Sequence, residues 1–275
     1  MPGRPTTSFP TRLGRSARLL SHLFLGLYVL AFRYPRLSHA ARAAINQRWS
    51  AQLIRILGMK VRVLGKAPGL LAHNTLLVAN HVSWLDIFAL NSVTVSHFVA
   101  KRELRRWPVI GWMIKNAGTV FIDRTSRRDA SRVNEQLAHS LSQGSCMAVF
   151  PEGTTTDGTD LLPFKASLFE SARMAGSHVQ PVALRYLDEH GRLTTLPAYI
   201  DKISLVRSLG RILSMPSGTV ELVFGQTLQA HAEEECSRFQ LAEAARAEVA
   251  SGLGLTPPAP AQPRKPTRTP DDLPA

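Results

Sequence analysis

A chain of 275 residues that is 44% hydrophobic can bury one sizeable core, and its two cysteines, Cys146 and Cys236, exclude both a disulfide scaffold and a cysteine-built zinc cluster. The net charge of +13 is unevenly placed: residues 1–85 carry 12 Lys+Arg and no acid, whereas residues 86–275 carry 21 basic against 20 acidic residues. A nearly neutral body has a cationic front, which seeks a polyanion, either nucleic acid or the anionic face of a membrane.

Hydrophobicity separates those partners. Leu19 to Phe32 reads LLSHLFLGLYVLAF, uncharged throughout, with Arg12, Arg15 and Arg18 before it and Arg33 and Arg36 after it. A nucleic-acid-binding arm interleaves polar and aromatic residues, so no nucleic acid is expected. Fourteen helical residues cover about 21 Å, short of the ~30 Å hydrocarbon core. The run is therefore expected to dip into the bilayer rather than span it, with both ends at cytoplasmic headgroups. A signal peptide, ending near Ala41-Arg42-Ala43, is the competing reading, and the arginines just after the apolar run argue against export. From Leu37 to Leu57, Ile45, Trp49, Leu53 and Ile56 form one helical stripe flanked by Arg42, Arg48 and Arg55. That pattern suits a helix lying in a headgroup layer, and it also suits a helix packed on the domain; the acid-free context favours the membrane. Residues 1–58 are thus expected to be membrane-associated helices.

Beyond Met59, short runs rich in Val, Ile, Leu and Phe alternate with helical stretches. KVRVLG, TLLVAN, HFVAK, TVFID, CMAVF, VQPVALRY and TVELVFG read as strands, and Arg127–Gln143, Phe164–Ala175 and Glu233–Ala250 as helices. The alternation predicts an α/β fold, a sheet flanked by helices, over residues 59–255. The proline-rich residues 256–275 read as a disordered tail. In such folds the chemistry gathers beyond strand ends.

After TLLVAN come His81 and, five residues on, Asp86. Folded back within hydrogen-bond reach, the carboxylate fixes the imidazole tautomer and leaves its other nitrogen free to take a proton. Such a spacing alone is unspecific and equally describes a surface pair. Its company matters. Asp123-Arg124 follows TVFI and offers a planar fork for a phosphate, or merely a local ion pair. Pro151-Glu152-Gly153-Thr154 follows CMAVF and supplies a turn, a polar handle and a close backbone approach. Val179-Gln180-Pro181-Val182 begins a strand whose proline cannot donate to a ladder, marking an edge or a bulge.

These four blocks, in this order, resemble the lysophospholipid acyltransferase family typified by 1-acylglycerol-3-phosphate acyltransferases, across roughly residues 59–225. The resemblance implies a glycerolipid acyltransferase-like fold and transfer of a fatty acyl group to the free hydroxyl of a lysophospholipid, in phospholipid biosynthesis. It casts His81 as the general base and Asp86 as its orienting partner. Arg124 is implied to hold the acceptor headgroup, with Asn80, Glu152, Gly153 and Thr154 shaping that site and Pro181 on the acyl-donor side. The donor is acyl-CoA or acyl-carrier protein, with no resident cofactor or metal. The expected setting is the cytosolic face of the inner membrane. One departure stands out: the family's third block commonly continues Glu-Gly-Thr-Arg, whereas Thr155 follows Thr154 here. Either Lys165 restores the cation, or the acceptor carries another headgroup, as in lyso-ornithine lipid. Outside enzymes, a membrane-surface adaptor would explain the basic front and leave the four blocks without a purpose. The absence of a G-x-S-x-G elbow disfavours a serine lipase, and no P-loop, H-E-x-x-H or C-x-x-C is present.

Overall fold

The computed structural model describes residues 6–101, 120–122, 127–201, 203–230 and 237–256. Its centre is a sheet whose strands are β1 (Met59–Leu64), β2 (Thr75–Ala79), β3 (His97–Lys101), β4 (Val120–Ile122), β5 (Cys146–Val149), β6 (His178–Leu187), β7 (Gly218–Phe224) and β8 (Leu228–Gln229). The order is β1-β7-β6-β2-β5-β3-β4, with β8 paired to β6. All neighbours are parallel except β6 with β7 and β6 with β8. The continuous apolar runs of β2 and β5 lie mid-sheet and are buried at every residue, as parallel strands covered on both faces must be. Register across three strands is marked by charge: Arg62 on β1, Glu221 on β7 and Arg185 on β6 stand side by side. Buried Glu221 pairs with both arginines, at 2.6 Å from Arg185.

Helices cover both faces. One face carries α1 (Phe9–Tyr28), α2 (His39–Ile56), α3 (Asp86–Asn91) and α6 (Leu205–Ser214), which bury Leu19, Leu53, Ile54, Leu57, Leu90 and Ile212 against Leu77, Val182 and Leu184. The other carries α4 (Arg127–Ser142), α5 (Glu170–Ala175) and α7 (Arg238–Leu253), packed on Leu76, Val78, Val179 and Ala183. A capping box between Ser237 and Gln240 starts α7, and Gly254 in the left-handed region ends it. The architecture is the expected sheet flanked by helices.

The N-terminal segment differs from its expectation in two respects. The first helix begins at Phe9, ten residues before the apolar run, and continues through a π-helical turn at Val29–Arg33 and a 3-10 turn at Tyr34–Arg36. Its inner face carries Leu19, His22 and Gly26, while Phe9, Leu13, Leu20, Phe24 and Tyr28 stand exposed. No helix among the described residues is long and apolar enough to cross a membrane. The stripe on α2 is not spent on headgroups. Leu53 is buried in the core, with Trp49 and Ile56 packed against it, so the packed-helix alternative holds for this face. The two helices are clasped: the His22 ring stacks on Trp49 at 4.7 Å, and its Nε2 lies 3.0 Å from the Trp49 carbonyl. A Cβ at Gly26 would come within 2.6 Å of Trp49 Nε1, so glycine permits this approach. Arg15 fastens α1 to the body by donating to the Met215 carbonyl at 2.6 Å and the Pro216 carbonyl at 2.7 Å, beyond the end of α6.

Pro181 also corrects an expectation. It lies in an interior strand, not at an edge, with β2 on one side. On the other side β6 changes partner here, from β8 at Val179 to β7 at Val182. The gap is bridged by Gln180, which donates to the Gly225 carbonyl at 2.8 Å and accepts from Thr227 at 2.7 Å. A residue without an N–H fits a position where the ladder is interrupted. The proposed tail beyond Thr256 lies outside the described residues.

Candidate active site

Parallel pairing of β2 with β5, Val78 opposite Val149, brings the segments after both strands to one rim of the sheet. His81 follows β2 there and Glu152 follows β5. Between Ala79 and His81, Asn80 extends the ladder with its side chain. Its amide donates to the Leu184 carbonyl at 3.1 Å, and its oxygen accepts the Leu184 N–H at 2.7 Å. The clip holds the departing chain against β6.

Asp86 is fully buried at the first turn of α3, and its carboxylate folds back over the loop that precedes it. Oδ2 accepts from His81 Nδ1 at 2.8 Å, the Val82 N–H at 2.8 Å and the Ser83 N–H at 2.9 Å. Oδ1 accepts the Tyr186 hydroxyl at 2.6 Å. Four donors match the capacity of a carboxylate, and a buried anion needs such saturation. Because a carboxylate only accepts, in the neutral imidazole Nδ1 carries the proton and Nε2 keeps its lone pair. The His81 side chain is one-fifth exposed, so this nitrogen's edge is where a substrate hydroxyl can arrive. One ring face is covered by Phe150, stacked at 4.0 Å and 10°, and Phe150 stacks in turn on Phe98.

Glu152 is buried and turned inward. Its Oε1 accepts the His81 N–H at 2.7 Å and its Oε2 the Leu162 N–H at 3.0 Å. Burial pushes its carboxyl above the usual range, the neighbouring Asp86 charge adds to this, and the backbone donors and His81 oppose it. The Thr156 N–H closes a second bridge to the His81 carbonyl at 2.8 Å. Gly153 adopts φ +74, and a side chain there would collide with the Lys165 ammonium lying over it. Lys165 and Thr154 are both exposed. The Thr155 hydroxyl donates to the Tyr199 carbonyl, and the Tyr199 N–H donates to Val82 at 2.8 Å, which straps the segment around Tyr199 across the rim.

Of the residues singled out in the sequence, His81, Asp86, Glu152, Gly153, Thr154 and Lys165 occupy this rim, and Asn80 braces it from below. Pro181 is buried in the sheet at the level of Val78. Arg124 lies outside the described residues. Tyr186, Phe150 and the Thr155–Tyr199 strap were not anticipated. The signal for Tyr186 was present, since it falls on the same strand face as Val182 and Leu184, where a lone hydroxyl needs a buried partner. Among the described residues, Ser83 is fully buried, and burial pushes the Cys146 thiol up to about 12, which disfavours either as a nucleophile.

Comparisons with known proteins identify the family. The acyltransferase family model matches residues 60–185. The 1-acyl-sn-glycerol-3-phosphate acyltransferase of Neisseria gonorrhoeae is 41% identical over 253 residues, covering 90% of this chain and 97% of that protein. A lyso-ornithine lipid O-acyltransferase of Pseudomonas aeruginosa is 39% identical, covering 91% and 96%. The crystal structure of the Thermotoga maritima 1-acyl-sn-glycerophosphate acyltransferase superposes with a TM-score of 0.62 at 22% identity, over 87% of this chain and 96% of that one, a likeness of fold. With this histidine–aspartate pair at the rim of a shared fold, and near-full-length relatives at such identity, the chain belongs to the acyltransferase family.

Proposed function

We propose that this enzyme transfers a fatty acyl group from acyl-CoA or acyl-carrier protein to the free hydroxyl of a lysophospholipid, with lysophosphatidic acid as the first acceptor. The observation that carries this reading is the His81–Asp86 pair, whose orientation leaves Nε2 as a base at an accessible edge. His81 takes the hydroxyl proton as the oxygen attacks the thioester carbonyl. The new C–O bond forms, the C–S bond breaks, and the imidazolium returns the proton to the departing thiolate. Attack is direct, in keeping with the inaccessible Ser83 and Cys146. Arg124 and Lys165 are the headgroup cations, Thr154 and Gly153 line the acceptor side, and Glu152 braces His81.

A specific observation favours lyso-ornithine lipid as the second acceptor. Thr155, where relatives acting on lysophosphatidic acid commonly carry arginine, spends its hydroxyl on the Tyr199 carbonyl and offers no cation. The substrates reach the site from the membrane surface. The exposed face of α1, with Phe9, Leu13, Leu20, Phe24 and Tyr28 beside Arg12 and Arg18, suits an interfacial helix on anionic lipid. The cytosolic face of the inner membrane is the setting in which the thioester donors are present.

The test is free-thiol release by the detergent-solubilised chain with palmitoyl-CoA and a panel of lysolipids, repeated with acyl-carrier protein as donor. Release with lysophosphatidic acid that falls about 10²–10⁴-fold in His81→Ala supports the reading. Release with lyso-ornithine lipid alone moves the acceptor and keeps the chemistry. Silence with both donors across the panel overturns it.

A further inference from the structure

Two features of β6 bear on the catalytic pair from beneath. Asn80 clips the chain to Leu184, and Tyr186, two residues on along the same strand face, points its hydroxyl at Asp86. The Tyr186 ring is fully buried, and its backbone carbonyl accepts the Thr194 N–H at 2.9 Å, which anchors the strand that carries it. The three donors to Oδ2 all come from the His81–Ser83 loop itself; the donor to Oδ1 comes from the sheet. That bond is therefore the one that ties the carboxylate to the rigid body of the protein.

We infer that Tyr186 is a positioning residue that sets the basicity of His81 through Asp86, a role that rests on the acyl transfer proposed above. A hydrogen bond to Oδ1 draws negative charge toward the phenol and away from the edge of the carboxylate that faces His81. It also fixes the carboxylate plane, so Oδ2 meets Nδ1 head-on while still accepting two backbone N–H groups. Burial, followed by the Asp86 charge and the hydrogen bond to it, holds the phenol far above its ordinary range, so Tyr186 stays a donor. Among the described residues Glu152 also acts on the pair; it approaches from the β5 side and bonds the His81 backbone, not its ring.

The experiment compares Tyr186→Phe with site-specific 3-fluorotyrosine at position 186, which keeps the ring and hydroxyl and makes the phenol a stronger donor. Removing the donor concentrates charge on the His81-facing oxygen, so the imidazole titration, assigned by its loss in His81→Ala and followed by NMR, moves to higher pH by about threefold in proton affinity. The fluorinated side chain moves it to lower pH. In the thiol-release assay Tyr186→Phe lowers kcat about tenfold with both KM values unchanged, and the acid limb of the pH profile follows the titration. In an Asp86→Asn background, Tyr186→Phe produces no further loss. A titration unmoved by either substitution, or a full additional loss in the Asp86→Asn background, overturns the inference. The fluorinated variant decides alone if Tyr186→Phe fails to fold. The NMR titration needs no substrate, so it judges Tyr186 even where the chosen lysolipid is not turned over.

Discussion

Asn80→Ala separates two roles for a residue that family resemblance assigns to substrate and whose side chain here bonds the Leu184 backbone. Both Asn80 and Leu184 are fully buried. Truncation removes two neutral hydrogen bonds and strands the Leu184 N–H and carbonyl without water. The bonds contribute about 1 kcal/mol each and the orphaned groups cost at least as much again, giving about 4 kcal/mol of destabilisation. For a chain of this size that lowers Tm by roughly 10 °C. The clip also sets the height of Tyr186 beneath Asp86, so kcat falls while KM for the lysolipid stays constant. Thermal unfolding by circular dichroism in detergent, alongside steady-state kinetics, reads both. A Tm within about 2 °C of the parent together with a raised lysolipid KM would refute the reasoning and return Asn80 to the acceptor site.

Two further outcomes are expected. The fold raises the Glu152 carboxyl by burial, so the stability this group contributes is complete below the ordinary glutamate range and is lost as pH rises through its raised value. The Tm advantage of the parent over Glu152→Gln should therefore shrink as pH rises above the ordinary glutamate range; an advantage that widens with pH there contradicts the burial argument. Phe24 is 70% exposed on the outer face of α1. Phe24→Asp should leave Tm unchanged and weaken co-sedimentation with anionic vesicles about tenfold or more, the equivalent of one buried aromatic side chain. Undiminished sedimentation would remove α1 from the membrane contact.

What the sequence made legible follows from the range of the interactions involved. Strands β2 and β5 were readable because burial on both faces demands an unbroken apolar run, and the His81–Asp86 contact because a five-residue spacing can close within one turn. The extent of α1 was not, since Phe9 and Leu13 lie among prolines, threonines and arginines whose helical register emerges only once Arg15 caps the segment after α6. The stripe on α2 was readable as a stripe, and its destination was not. Periodicity tells which side is apolar, and the stacking of His22 on Trp49 tells what covers it. The six-residue α3 falls below the length at which a period declares itself, whereas α6 carries a helical period that went unread. Pro181 was read as an edge or a bulge, because only the pairing of β6 with β2 on one side and with β7 and β8 on the other shows the strand to be interior. Tyr186 meets Asp86 across 100 residues of chain, a contact that no local pattern announces.

The stacking of His81 on Phe150 has a consequence for the moment of reaction itself. A neutral imidazole meeting this aromatic face makes a contact of little electrostatic consequence. In the acyl transfer proposed above, the ring becomes a cation lying flat against the negative face of the Phe150 π cloud as the hydroxyl gives up its proton. Such a contact is worth about 0.5–2 kcal/mol, and it appears only as the charge does. Phe150 thus discriminates between the state before proton transfer and the state during it, lowering the barrier without tightening the hold on the substrate.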